Sequence, residues 1–348
     1  MLHVQIVLFD GFDLLDAIAP YEVFCAAEML TDSTALSVEL VTAEGPRSVP
    51  SGGKGLPIGA GGRLDPTRRG IILVPGASGE LEGDGPDAIP TILARAANSE
   101  LAVLLKQALE LPDQIVATVC GGSLILAMGG HLEGRSAVTN HLGMDLLGAT
   151  GAIPVPARVV EDGNLITGGG VTSGLDVALY LVERELGPRI AHAVEQLFEY
   201  ERRGTVWRKE GLSPRQELSV RDVPVVAAVD MEPASRLSES DVARESVFDG
   251  IWDTTIATPV GKLAVQLHIT TVDGVVQGKA TQGDEVSPFL QPVLEGRTLR
   301  WSQRVTKPMR LNLAFEVNVD GDRMTGTAKA GILPASKLSG VRVRGATT

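Results

Sequence analysis

Ile115-Val116-Ala117-Thr118-Val119-Cys120-Gly121-Gly122-Ser123-Leu124-Ile125-Leu126-Ala127-Met128 is the stretch on which the reading of this chain turns. Its first five residues form a short apolar, β-branched run, the pattern of a buried strand. From Ser123 the spacing changes to that of a helix. Cys120 stands at the change, followed by two glycines that let the backbone bend sharply. A tight strand-to-helix turn holds its central side chain clear of the sheet, and the helix behind it aims free N–H groups at the sulfur. Two readings of Cys120 follow: a nucleophile with a lowered thiol pKa, or an inert buried cysteine, the usual state of a free thiol.

Outward from this turn, the first 200 residues alternate strand and helix signals. His3–Phe9 opens with a strand, Tyr21–Leu30 has helical spacing, and Ser37–Thr42 is the next strand. Ile71-Ile72-Leu73-Val74 is fully apolar and closed by Pro75-Gly76, as a central parallel strand and its turn would be. Helical segments cover about 87–110. Val159-Val160, the Asp162-Gly163-Asn164 turn and Leu165-Ile166-Thr167 read as a hairpin, and helices Ser173–Leu186 and Pro188–Tyr200 follow, separated by Gly187. Alternating β and α units predict a parallel sheet covered on both faces. The ligand then belongs at the carboxyl ends of its strands, where Cys120, Gly76 and the Asp10–Asp16 loop all fall.

Beyond about residue 205 the character changes. Residues 206–245 read as a linker with one candidate strand, Val223–Val229. Residues 246–348 carry short alternating strands between Gly and Asp-Gly turns, which predict a small antiparallel barrel or sandwich. Val272-Asp273-Gly274 and Val319-Asp320-Gly321 lie 47 residues apart and mark a duplicated hairpin unit. Gly250-Ile251-Trp252 on the first strand, with Arg342 and Arg344 on the last, bears a slight likeness to the opening and closing of lipocalin-like barrels. Trp252 also fits an ordinary core residue.

Composition narrows the function classes. Residues 1–205 hold 13 Lys+Arg and 26 Asp+Glu, a net of −13, whereas residues 206–348 hold 18 and 17, a net of +1. Neither part offers the basic face that nucleic acid requires. No apolar run reaches the roughly 18 residues of a membrane span, and no leader pattern precedes the first strand, so a cytoplasmic protein is expected. Cys25 and Cys120 are far apart and in different elements, which predicts neither a disulfide nor a metal cluster. No metal or other cofactor is expected, and the partner is a small-molecule substrate rather than nucleic acid or membrane.

A series of motifs in residues 1–205 resembles the ThiJ/PfpI superfamily, and within it the isonitrile hydratases. They are Leu15–Phe24, Val74–Gly79, Val119–Ser123, Gly134–His141, Arg158–Asp176 and Gln196–Tyr200, in order along the chain. The resemblance implies a flavodoxin-like parallel sheet with flanking helices, a homodimer, and a site built from Cys120 and an acid in the first loop, here Asp16. A thiolate can attack an electrophilic carbon while a carboxyl within reach supplies and removes protons. If the two are buried together, the acid should stay partly protonated beside a thiolate. Asp16 alternatively caps the helix that starts near Ala17. Asp10 and Asp13 are expected to be solvated or capping, and Cys25 to sit in the core. Gly76 and Ala77 can present backbone N–H groups to a developing anion, or simply make a tight turn. The resemblance places His141 near the thiol, although a lone histidine is also a common structural residue. Gly121 stands where isonitrile hydratases usually carry Thr, and Ala19 where Gly is expected before Pro20; the first departure bears on the substrate. Two functions emerge: a cysteine-dependent hydratase or other lyase converting an isonitrile to an N-substituted formamide, or a non-catalytic small-molecule sensor using the same pocket.

Overall fold

The computed structural model describes residues 1–31, 35–81, 83, 85–212, 246–258, 261–272, 275–283, 285–305, 311–330 and 335–343. Most of the expected linker, the candidate strand Val223–Val229, the Asp273-Gly274 turn and Arg344 lie outside these residues.

The N-terminal part is built on a mixed eight-stranded sheet. Strand Leu2–Val7 lies third from one edge, parallel to Leu36–Thr42 on one side and Gly70–Val74 on the other. Gly70–Val74 pairs in parallel with Gln114–Val119, which pairs in parallel with Leu165–Gly168. The predicted hairpin forms, so Val159–Asp162 runs antiparallel to Leu165–Gly168, and Trp207–Arg208 and Gly62–Arg63 close the two edges. The central strands are mostly apolar because both faces are covered: every residue of Gly70–Val74 and Gln114–Val119 is buried, Gln114 and Thr118 included.

The helices are α1 (Leu14–Met29), α2 (Ile89–Ala97), α3 (Glu100–Leu109), α4 (Gly122–Met128), α5 (Met144–Ala149), α6 (Ser173–Leu186) and α7 (Pro188–Phe198). The predicted helical stretch 87–110 is therefore two helices, broken where Ser99 caps α3 through Leu101 N. Pro20 lies inside α1, and its ring faces Gly174 of α6, where even a Cβ would come within 3.1 Å. Among the described residues no helix is long and apolar enough to cross a membrane.

The C-terminal part is a nine-stranded antiparallel sheet that curls into a nearly closed barrel. Its first strand, Gly250–Thr258, pairs with both Gly261–Val272 and the last, Ser336–Arg342. The duplicated unit appears as two hairpins, Gly261–Val272 with Val275–Gln282 and Leu311–Asp320 with Arg323–Ala330. Period-2 alternation sends one face inward, where Phe289 and Phe315 stack on Trp301 with ring centroids 4.2 and 4.7 Å away. Trp252 is buried; its Nε1 donates to Phe248 O, and the Arg342 guanidinium lies 4.1 Å over its ring. The aromatic core fills the barrel interior with Phe, Trp, Leu and Ile side chains. The barrel meets the larger part through the Arg304–Glu133 ion pair and through Leu311, which packs against the N-terminal core.

Candidate active site

Cys120 occupies the expected elbow. It is the residue after strand Gln114–Val119 and has φ +55°, in the left-handed region that a non-glycine side chain enters only when its surroundings enforce it. Here the enforcement is visible. The Cys120 N–H donates to Gly168 O at 3.0 Å, continuing the ladder, and Thr139 Oγ1 donates to Cys120 O at 2.7 Å. Ser123 Oγ, one turn on, donates to Val138 O at 2.6 Å and shares a hydrogen bond with Thr118 Oγ1 at 2.9 Å. The turn is thus tied to its own strand, to the neighbouring strand and to the Ser136–Asn140 segment.

Three glycines give the elbow its room, for different reasons. A Cβ on Gly122 would lie 2.3 Å from Val74 O, and one on Gly76 would lie 2.6 Å from Gly121 N and 2.8 Å from Asp16 Oδ2. Both positions are closed to any side chain. Gly121 differs: its φ is −67°, and a Cβ there would meet only the Leu93 methyls, at 3.1 and 3.4 Å, and the Gly76 Cα at 3.6 Å.

Asp16 sits behind the sulfur, fully buried, in the first turn of α1. Its Oδ2 accepts from the Gly76 N–H at 2.9 Å, while Oδ1 is buried without a hydrogen-bond partner. The cap of α1 is Asp13, whose Oδ1 accepts from Leu15 N and Asp16 N, so the capping role considered for Asp16 is already filled. Asp10 pairs with Arg47 at 2.6 Å. Burial, reinforced by the nearby Asp13 charge, pushes the Asp16 carboxyl up to about 8. Burial and the Asp16 charge push the Cys120 thiol up to about 12, against the Asn140 amide and the Gly121 N–H, which favour the anion. The expectation of a thiol lowered by the helix N-terminus is therefore corrected: α4 is only two turns long, and desolvation outweighs it.

Cys120 is 7% exposed, and what it faces is a cavity of about 360 Å³. Ala77 and Gly121 line this cavity; Gly76 and Asp16 lie just behind its wall. His141 does not line it. It begins a short 3-10 turn and is exposed, and the residue before it turns inward instead: Asn140 donates from Nδ2 to Cys120 Sγ at 3.5 Å. Sequence reading missed Asn140, whose only signal was its place beside His141 at the end of the Gly134–His141 motif. Cys25 is half-buried on α1 and bonded to Tyr21 rather than sealed in the core. A larger cavity, about 1190 Å³, lies away from the thiol between α6, α7 and residues 199–208, and its walls are mainly charged. Among the described residues no group of three His, Cys, Asp or Glu side chains is placed to hold a metal ion.

With this geometry in hand, the chain can be set beside known proteins. Residues 3–184 match the DJ-1/PfpI family, and the chain belongs to that family. Isonitrile hydratase of Pseudomonas putida is 49% identical over 85 residues, a match that covers 24% of this chain and 37% of the hydratase's own length. An uncharacterised protein of Streptomyces lividans is 31% identical over 138 residues, covering 40% of this chain and 86% of that protein. The crystal structure of a ThiJ/PfpI family protein from Pseudomonas syringae aligns with a TM-score of 0.48 at 26% identity, over 58% of this chain and 76% of that one.

Proposed function

We propose that the protein is a cysteine-dependent hydratase of the isonitrile hydratase type, with Cys120 as nucleophile and Asp16 as proton relay. The observation that carries this reading is a strained, cavity-facing thiol coupled to a sealed carboxyl whose second oxygen has no protein partner. The partial likeness to isonitrile hydratase supports the choice of substrate.

The protonation pattern suits this chemistry. Hydration of R–NC must deliver a proton to the terminal carbon and a nucleophile to the same atom. A neutral thiol beside a protonated carboxyl holds both protons in place before substrate arrives. In the first step the Cys120 sulfur bonds to the carbon, the S–H proton passes through Asp16 to that carbon, and R–N=CH–S–Cys120 forms. Water then adds to the C=N carbon while Asp16 moves a proton toward nitrogen. The C–S bond breaks, returning the thiol and releasing R–NH–CHO. In this reading the N–H groups of Ala77 and Gly121, two residues of the cavity wall, stabilise the oxygen that bears charge before the C–S bond breaks. A homodimer in the cytoplasm, free of metal and nucleic acid, fits the family and the composition.

The test is direct: incubate the full chain with alkyl and aryl isonitriles and follow the formyl proton of the product by NMR. Formamide should form, and Cys120→Ala should abolish it. Saturable binding without formamide would replace this reading with the sensor reading.

A further inference from the structure

We infer that Gly121 sets the substrate size of this site and that, with Leu93, it reserves the space beside the sulfur for a bulky apolar substituent. This rests on the reading of Cys120 as nucleophile and extends it to specificity. Neither of the usual reasons for glycine applies at Gly121. Its φ of −67° suits any residue, and no backbone atom lies closer than 3.6 Å to where its Cβ would be. Its neighbours Gly76 and Gly122, by contrast, are sterically obligatory. A side chain at position 121 would press its Cβ on the Leu93 methyls, the flexible end of a side chain, and send its outer atoms into the cavity that Gly121, Leu93 and Cys120 all line.

The rest of the cavity has matching chemistry. Leu124, Met128 and Leu146 form its inner wall, and Leu81 and Leu142 extend it outward. Those last two leucines are each 67% exposed, an apolar lip where solvent-facing polar residues would be expected. The occupant is therefore the uncharged, branched or cyclic hydrocarbon group of the molecule that Cys120 attacks. Its reacting carbon lies at the sulfur, and its bulk lies against Leu93 and out toward the lip.

The experiment measures alkylation of Cys120 in the full chain by haloacetamides bearing N-methyl, N-cyclohexyl or N-carboxymethyl groups, at alkaline pH, with Cys25 sites counted by mass spectrometry. The wild type should prefer N-cyclohexyl over N-methyl and exclude the carboxylate. Gly121→Thr should lower the cyclohexyl-to-methyl rate ratio about tenfold, the scale on which a misfitted methyl group is discriminated. Gly121→Ala should lower it less, and Leu93→Ala added to Gly121→Thr should restore much of the ratio. A ratio unchanged in Gly121→Thr, or one that Leu93→Ala does not move, would overturn the inference. Because these reagents are not isonitriles, the size effect can hold even if no formamide is ever formed, which would refute the hydratase reading alone.

Discussion

At neutral pH the Cys120–Asp16 pair keeps both of its protons, because each group is buried, the Asp13 charge adds to the rise at Asp16, and the Asp16 charge adds to the rise at the thiol. This has a thermodynamic signature. Asp16 moves from an ordinary 3.8 to about 8 on folding, so between those values the native state holds a proton that the unfolded chain has lost. Stability from this group must fall as pH rises through that window. Asp16→Asn removes the slope, so the variant should gain on the wild type as pH climbs toward 8, by on the order of a few kcal/mol in urea unfolding. A parallel pH profile for the two proteins would show that Asp16 is not buried as a proton carrier. The same variant should abolish turnover, yet alkylate faster than wild type at alkaline pH, since the Asp16 charge is part of what holds the thiol up. At this scale the elbow and the first loop pointed to Cys120 and Asp16, the pair we propose as the reacting groups. Sequence alone could not give their protonation, which depends on burial contributed by residues distant in the chain. Nor could it give Asn140, whose inward direction is set by the 3-10 turn at His141–Gly143.

The elbow works as an element because strand, turn and helix are each tied to something else. The strand Gln114–Val119 is fixed by parallel neighbours on both sides, and α4 is held at its first turn by Ser123. The glycines then discriminate between fold and function. Gly122→Ala should destabilise the protein strongly, by about 1–3 kcal/mol or more, because its Cβ would lie 2.3 Å from Val74 O and the backbone must shift. Gly121→Ala should shift the midpoint of urea unfolding less, because its Cβ would meet the movable methyls of Leu93 at 3.1 and 3.4 Å rather than backbone. Equal destabilisation by the two substitutions would mean that Gly121 is structural after all. Elements with strong periodicity or clear punctuation were legible in advance: the elbow, the Asp162–Asn164 hairpin and the α6–Gly187–α7 corner, where Gly187 has φ +93°. The hairpin of Arg47–Pro50 with Pro57–Ala60 and the six-residue α5 were not, because pieces so short have no periodicity of their own and are held by what they pack against.

On the scale of the whole molecule, the two parts differ in charge and in how their cores are built. The N-terminal part is strongly acidic with an aliphatic core, whereas the barrel is near neutral and packed around Trp252, Trp301 and their aromatic neighbours. Alternation and Asp-Gly turns made the barrel legible as antiparallel, but not its strand order, which depends on long-range pairing of Gly250–Thr258 with Ser336–Arg342. The division at 1–205, 206–245 and 246–348 is our proposal, and the cavity gives it a sharp test. Every described residue lining it falls between Asp13 and Val171. Among the described residues the barrel touches this part through the half-exposed Arg304–Glu133 ion pair, which contributes less than about 1 kcal/mol, and through Leu311. We therefore expect residues 1–212 expressed alone to fold, to keep formamide formation and to keep the alkylation preference of Cys120. The barrel does approach α5, and Leu146 of α5 is part of the cavity wall. If the shortened chain folds cooperatively but its preference for the cyclohexyl reagent collapses, the barrel braces α5 and belongs to the site. If the preference survives, the barrel serves contacts outside it.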